Sequence, residues 1–141
     1  MNHLLTDPEL RGGIEDSAAL RRAIDALFDD EAWDQALPLT LQLMALEPQD
    51  PSASYRLGSC LQRMEQFEPA LAAFTLCLLA QGDQPTPGPL LRTGECLAAV
   101  GQRERARELL HASVDAARSD PQYAPLQALA QQQLDALMQV H

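Results

Sequence analysis

Residues 55–78 read YRLGSCLQRMEQFEPALAAFTLCL, and they carry the clearest structural pattern in the chain. Its apolar residues recur at helical spacing as far as Met64 and again from Phe67 onward, with a break near Glu65. The stretch has neither the alternating pattern of a strand nor a run of turn residues. It therefore predicts two helices that are joined by a tight turn.

The same helix–turn–helix unit recurs along the chain. Ala36 to Ala70 is a step of 34 residues, and Gly58 to Gly94 is a step of 36. A period near 34 residues, with small residues where the helices pack, is typical of tetratricopeptide repeats. We predict an all-α tetratricopeptide-repeat solenoid with three helical hairpins, at about residues 17–50, 51–84 and 87–120. A capping helix over 122–140 follows, with glutamines 131–133 facing outward.

Breaker residues mark the ends and connections of these units. A glycine pair interrupts residues 1–16, so we expect a flexible or short helical segment before the repeat domain of residues 17–141. Pro38 lies inside the second helix, where it predicts either a kink or a delayed helix start. The proline-rich stretch 82–89 lengthens the connection between the second and third hairpins.

Composition and charge exclude several classes of function. The chain has 141 residues, of which 46% are hydrophobic and 4% aromatic, as expected for one helical domain. Its formal net charge of -10 disfavours nucleic acid and anionic membranes, which bind clustered cations. No membrane span or signal peptide is evident, so we expect a cytoplasmic protein. The acidic first third predicts either a solvated face or a surface for a basic or amphipathic partner.

Candidate catalytic and metal-binding residues are sparse in this sequence. Cys60, Cys77 and Cys96 form no CxxC pair and lie on apolar stripes, which predicts buried free thiols. The histidines lie at the two termini and on a helix surface, far apart in sequence, which disfavours a metal site or a nucleophile–base pair. We predict no enzymatic activity, no metal site and no cofactor.

Stacked helical hairpins form a concave groove that is lined by their first helices. Projection of the repeat register predicts the following groove residues: Arg21, Asp25, Phe28, Tyr55, Ser59, Gln62, Arg63, Leu91, Glu95 and Ala98. Apolar side chains among polar ones suit the anchors of an extended peptide, whose backbone the amides and arginines can bind. The alternative is that Phe28 and Tyr55 belong to the core between repeats.

Two motifs resemble a known family. Residues 57–70 read LGSCLQRMEQFEPA, and Gly94-Glu95-Cys96-Leu97 follows Pro89. These motifs resemble the class II chaperones of bacterial type III secretion, over roughly residues 20–140. The resemblance implies a cytoplasmic chaperone whose groove binds an extended segment of a hydrophobic translocator and keeps it soluble before export. It also places Leu76, where the family often has a tyrosine, among the groove residues.

The resemblance implies partners as well as a fold. The main partner is a secreted translocator or effector protein, and further partners are a transcriptional activator and a second copy of the chain in a weak homodimer. Two alternatives stay open, namely a regulatory adaptor acting on a transcription factor and a generic peptide-binding scaffold.

Overall fold

The computed structural model describes residues 16–139, and within that range every regular element is helical. The elements are α1 (Ser17–Asp29), α2 (Trp33–Leu46), α3 (Pro51–Arg63), α4 (Phe67–Gln81), α5 (Pro87–Ala99), α6 (Arg103–Ala117), a 3-10 turn (Pro121–Tyr123) and α7 (Ala124–Gln139). Helices pack pairwise as α1–α2, α3–α4 and α5–α6, and α7 packs on α5 and α6. The predicted solenoid of three hairpins and a cap is confirmed. The predicted segment 1–16 lies outside the described residues, apart from Asp16.

Each hairpin turns at a residue with a positive φ angle. These residues are Glu31, Glu65 and Gly101, with φ angles of 55°, 60° and 88°. After Glu65, the N–H of Gln66 donates to the carbonyl of Leu61 at 2.9 Å, which closes the helix end in a Schellman motif. The three turns therefore share one geometry, although only the third uses the glycine that this geometry favours.

Close packing of the two helices in the second and third hairpins requires glycine. A Cβ atom on Gly58 would lie 2.7 Å from the Phe74 ring, and one on Gly94 would lie 2.8 Å from the Leu110 side chain. Both distances are shorter than any relaxed carbon contact. In each hairpin, a glycine on the first helix thus accommodates a bulky residue on the second.

The first hairpin reverses this arrangement of sizes. Its equivalent positions hold Ile24 and Thr40, and both side chains are fully buried. The Thr40 hydroxyl donates to the carbonyl of Leu37 at 2.7 Å, so its burial leaves no polar atom without a partner. Close packing of the two helices in a hairpin therefore requires a small residue opposite a large one, but either helix can carry the small residue.

Helix α2 begins at Trp33 and continues through Pro38, so the predicted delayed start is wrong. Pro38 has no N–H to donate to the carbonyl of Asp34, one turn earlier. Both residues are exposed, and water can satisfy that carbonyl. The proline is tolerated because its position faces solvent.

Buried apolar residues form three clusters along the chain. The first joins α1, α2 and α3 around Ile24 and Leu43, and the middle one surrounds Phe74. The last joins α5, α6 and α7 around Leu91 and Leu110. Because α7 contributes two buried residues to this last cluster, it is part of the core and not an appendage.

Candidate functional site

An open cavity of about 1090 Å³ lies between the first helices of the three hairpins. Residues of α1, α3 and α5 line it, together with the start of α2 and one side of α4. Seven of the predicted groove residues line this cavity, namely Asp25, Phe28, Tyr55, Ser59, Gln62, Arg63 and Glu95. The repeat register thus brings together residues from three separate helices.

Arg21 and Leu91 do not line the cavity, although the register makes them equivalent to Tyr55. The Arg21 guanidinium donates to Glu47 at 2.6 Å and also binds Asp50, so it ties α1 to the start of α3. Leu91 is fully buried in the last core cluster. Its placement in the groove was wrong because α6 and α7 cover the side of α5 that carries it.

Leu76 and Ala98 also lie away from the cavity. Leu76 is 48% exposed and borders a separate shallow depression beside Pro48 and Leu79. Ala98 is half-buried near the end of α5, beyond the last cavity residue of that helix, Glu95. The structure therefore does not bring these two residues together with the other predicted groove residues.

Trp33 forms the aromatic end of the cavity, and the sequence analysis missed it as a groove residue. Its ring centroid lies 5.1 Å from that of Phe28 in an edge-to-face arrangement. The Arg63 guanidinium lies over the Trp33 ring, 5.4 Å from its centroid. The sequence did indicate Trp33 as a candidate, because it is the single tryptophan, follows a repeat turn and offers a large apolar surface.

Tyr55 is both a core residue and a cavity residue, the two alternatives that the sequence left open. Its ring packs edge-to-face on the buried Phe74 with centroids 5.6 Å apart, while the side chain also lines the cavity. A Cβ atom on Gly88 of α5 would lie 3.4 Å from the Tyr55 hydroxyl oxygen. Tyr55 therefore forms the cavity floor where α3, α4 and α5 meet.

Glu95 connects three helices at the other end of the cavity. It accepts hydrogen bonds from Gln62 of α3 at 2.9 Å, from Arg92 of α5 at 2.8 Å and from Gln133 of α7 at 2.6 Å. Burial alone would lower the pKa of Arg92, but its bonds to Glu95 and Tyr55 outweigh that effect and raise it. The prediction that Gln133 faces outward is wrong, because its amide binds this carboxylate.

An ion pair between α3 and α1 forms part of the cavity wall. Arg56, which the sequence analysis also missed, binds Asp25 through Nε and Nη2, each at 3.1 Å. Such a two-pronged contact has a defined geometry and holds α3 against α1. The cavity therefore has a wall of paired charges in addition to its aromatic end at Trp33 and the hydrogen-bonded Glu95.

The three cysteines are buried free thiols, as predicted. Burial raises the pKa of Cys60 and Cys77, with nearby carboxylates adding to the effect, and it raises the pKa of Cys96 to about 11. These thiols stay protonated near neutral pH and are poor nucleophiles. Within residues 16–139 no cluster of three or more His, Cys, Asp or Glu residues could hold a metal ion.

No protein-family model and no curated protein matches the chain, but solved structures do. A type III secretion complex from Aeromonas hydrophila matches 86% of this chain and 80% of its own, with 23% identity and a TM-score of 0.81. The Yersinia enterocolitica type III secretion chaperone SycD, in complex with a peptide of the translocator YopD, matches 84% of this chain and 89% of its own, at 19% identity and a TM-score of 0.78.

A tetratricopeptide domain of a different origin matches as well. The first such domain of Spaghetti (RPAP3), bound to the HSP90 peptide SRMEEVD, covers 87% of this chain and 90% of its own, at 16% identity and a TM-score of 0.75. Together these likenesses establish the tetratricopeptide fold. No helix within the described part of the chain is long and apolar enough to span a membrane.

Proposed function

We propose that this chain is a cytoplasmic chaperone of a bacterial type III secretion system. It binds an extended segment of a hydrophobic translocator and keeps that protein soluble and unassembled before export. The observation that carries the proposal is the open cavity of about 1090 Å³, because side chains of three successive hairpins line it and a site that spans several repeats can hold an extended segment. The likeness to SycD in complex with a YopD peptide and the motif at 57–70 support the choice of partner.

The chemistry of the cavity suits reversible binding without turnover. Phe28, Trp33 and Tyr55 offer apolar surface for the anchors of the segment. Ser59 and Gln62 also line the cavity and can hydrogen-bond the backbone of a bound chain. Two ion pairs join α1 to α3, and a hydrogen bond from Gln62 joins α3 to Glu95 of α5. These contacts hold the cavity in shape before the segment arrives, which lowers the entropic cost of binding.

A direct test uses fluorescence anisotropy with labelled peptides that tile the translocators of the same bacterium. The informative variant is Ser59→Trp, which places a bulky ring inside the cavity while leaving the core residues of α3 unchanged. Ala72→Trp is the matched control, because Ala72 is exposed on α4 and does not line the cavity. We expect Ser59→Trp to lose about tenfold or more in affinity, since a clash of ~1.4 kcal/mol is enough for that.

The control variant should bind like the wild type, and both variants should keep the wild-type circular dichroism. Binding that survives Ser59→Trp would place the segment elsewhere on the molecule. No binding of any translocator peptide would refute the proposed function. Light scattering of the free chain over a concentration series tests the weak homodimer at the same time.

A generic peptide-binding adaptor is the second candidate, and the match to the RPAP3 domain in complex with an HSP90 peptide favours it. The two candidates differ in the peptide that they bind. An apolar translocator segment should bind the proposed chaperone, whereas the acidic peptide SRMEEVD should not, because the chain itself is strongly acidic. Preference for SRMEEVD in the same assay would select the adaptor.

A further inference from the structure

Most acidic side chains along the cavity are already paired with an arginine of the chain itself. The pairs are Arg56 with Asp25, Arg21 with Asp50 and Arg92 with Glu95. A carboxylate that is held by an internal arginine has little attraction left for a cation of the ligand. These pairs therefore shape the cavity more than they select its occupant.

Asp29 differs from these carboxylates. It lines the cavity next to Phe28, is exposed, and makes no ion pair within residues 16–139. Three further exposed carboxylates follow within five residues: Asp30 and Glu31 in the turn, and Asp34 in the first turn of α2. They likewise have no ion pair in the described chain. Asp29 is the one of these four carboxylates that lines the cavity, and the other three lie close to it along the chain.

Arg63 is the cavity-lining cation at this end, and it does not neutralise the turn. Its guanidinium lies over the Trp33 ring and forms no ion pair within the described residues. One arginine against four carboxylates leaves an excess of negative charge beside an apolar surface. Such a site favours a ligand that presents an apolar side chain and a cation close together.

We propose that the segment bound in the cavity carries an arginine or lysine next to an apolar anchor. The anchor packs against Phe28 and Trp33, and the cation lies against Asp29 at the rim. This inference rests on the proposed function and narrows the partner to a basic amphipathic segment. An exposed pair of this kind contributes modestly, so it should change affinity by about two- to fivefold and should weaken with salt.

The test is a double-mutant cycle between the protein and its peptide. The peptide is the translocator segment that binds most tightly in the tiling experiment. It is made in two forms, one with the arginine beside its apolar anchor and one with citrulline, which is neutral and nearly identical in shape. Where the basic residue is a lysine, it is first replaced by arginine. The protein is the wild type or Asp29→Asn. Glu108→Gln on α6 is the control, because Glu108 is an exposed carboxylate away from the cavity. Fluorescence of Trp33, the single tryptophan, reports whether the aromatic end is occupied.

We expect Asp29→Asn and citrulline each to weaken binding by about threefold, and the two together to weaken it no further than either alone. Salt should weaken binding of the arginine peptide more than that of the citrulline peptide. The inference would be overturned if the two fold-losses in affinity multiplied in the double change, or if the segment that binds most tightly had no basic residue. Either result would leave the chaperone proposal in place. If no peptide binds the wild type, both proposals fail. Thermal melts check that Asp29→Asn remains folded.

Discussion

Helices α3 and α5 have the same length of 13 residues and the same place in successive hairpins, yet their surroundings differ. Four residues of α3 are buried, whereas nine residues of α5 are. Seven residues of α3 line the cavity, but α5 contributes only Pro89, Arg92 and Glu95. One helix therefore forms most of the binding surface, while the other supports it.

The difference arises from the neighbours of the two helices and not from their internal pattern. Helix α5 packs against α4, α6 and α7, so little of its surface remains exposed. Helix α3 packs mainly against α2 and α4, and its remaining side faces the cavity. A repeat position can thus be a binding residue in one hairpin and a core residue in the next.

The largest expected effect comes from placing a charge in the core-facing side of α5, compared with the cavity-facing side of α3. Leu91→Asp buries a carboxylate in the last core cluster, and we expect it to cost about 3–5 kcal/mol or more. Since domains are stable by roughly 5–15 kcal/mol, this variant should be largely unfolded or should melt far earlier. Urea denaturation followed by circular dichroism measures the loss.

Ser59→Asp is the control for that experiment in α3. Ser59 is half-buried and lines the open cavity, so its substitution should change the free energy of unfolding by less than ~1 kcal/mol. Equal losses for the two variants would contradict the assignment of α5 as the supporting helix.

The two glycines give the next largest effect. We expect Gly58→Ala and Gly94→Ala each to lower the free energy of unfolding by about 1–3 kcal/mol through overpacking, partly offset by better helix propensity. Gly58→Ala should be the more severe, because its Cβ would lie within 2.9 Å of three atoms of the rigid, fully buried Phe74 ring, whereas the more flexible Leu110 side chain faces Gly94. Ser59→Ala is the control and should be nearly neutral; a neutral Gly58→Ala would refute the packing argument.

The N-termini of the two helices differ in the way that they are capped. Asp50 accepts from the N–H of Ser52 at 2.8 Å and caps α3, whereas Thr86 before α5 makes no such cap bond. We expect Asp50→Ala to cost about 1 kcal/mol, and Thr86→Ala to cost less. Matched thermal melts of the two variants measure the difference, and equal costs would show that capping does not distinguish these helices.

The Asp50 cap also predicts a dependence on pH. Burial tends to raise the pKa of Asp50, but hydrogen bonds from Ser52 and the charge of Arg21 outweigh it and hold the pKa below the ordinary 3.8. The resulting stabilisation is complete above about pH 3.8 and is lost as the pH falls through the lower pKa of the folded state. The stability difference between the wild type and Asp50→Asn should therefore shrink in acid, and a constant difference would exclude this linkage.

The smallest effect concerns the turns that follow the two helices. The turn after α3 has Glu65 at a φ angle of 60°, whereas the turn after α5 has Gly101 at 88°. We expect Glu65→Gly to raise the free energy of unfolding by about 0.5–1 kcal/mol, because glycine adopts this conformation without strain. The reverse change, Gly101→Ala, should destabilise by a similar amount. Loss of stability in Glu65→Gly would mean that the Glu65 side chain makes a compensating contact.

The repeat spacing in the sequence correctly aligned one set of equivalent positions, with one residue from each hairpin. Asp25, Ser59 and Glu95 are spaced by 34 and 36 residues, and all three line the cavity. Of the neighbouring row of Arg21, Tyr55 and Leu91, only Tyr55 lines the cavity. Spacing fixes the direction of a side chain relative to its own helix, but it cannot state which other helix covers that direction.

Residues that act through partners far along the chain were the ones missed. Trp33 and Arg56 lie on stripes that also suited a packed or a solvated face. Their place in the site depends on Arg63 over the Trp33 ring and on Asp25 across the gap between α1 and α3. The sequence marked Trp33 as a large apolar residue, but no local pattern states which arginine or carboxylate pairs with it or with Arg56.

Helical periodicity and turn preferences act over a few neighbouring residues, so the sequence alone predicts the helices, their turns, the three-hairpin repeat and the capping helix. It also predicts the buried cysteines. The folded chain adds that α7 completes the core around Leu91 and that Gln133 turns inward to bind Glu95. These contacts depend on which helix surfaces meet in the packed core, and therefore on residues far apart in the sequence.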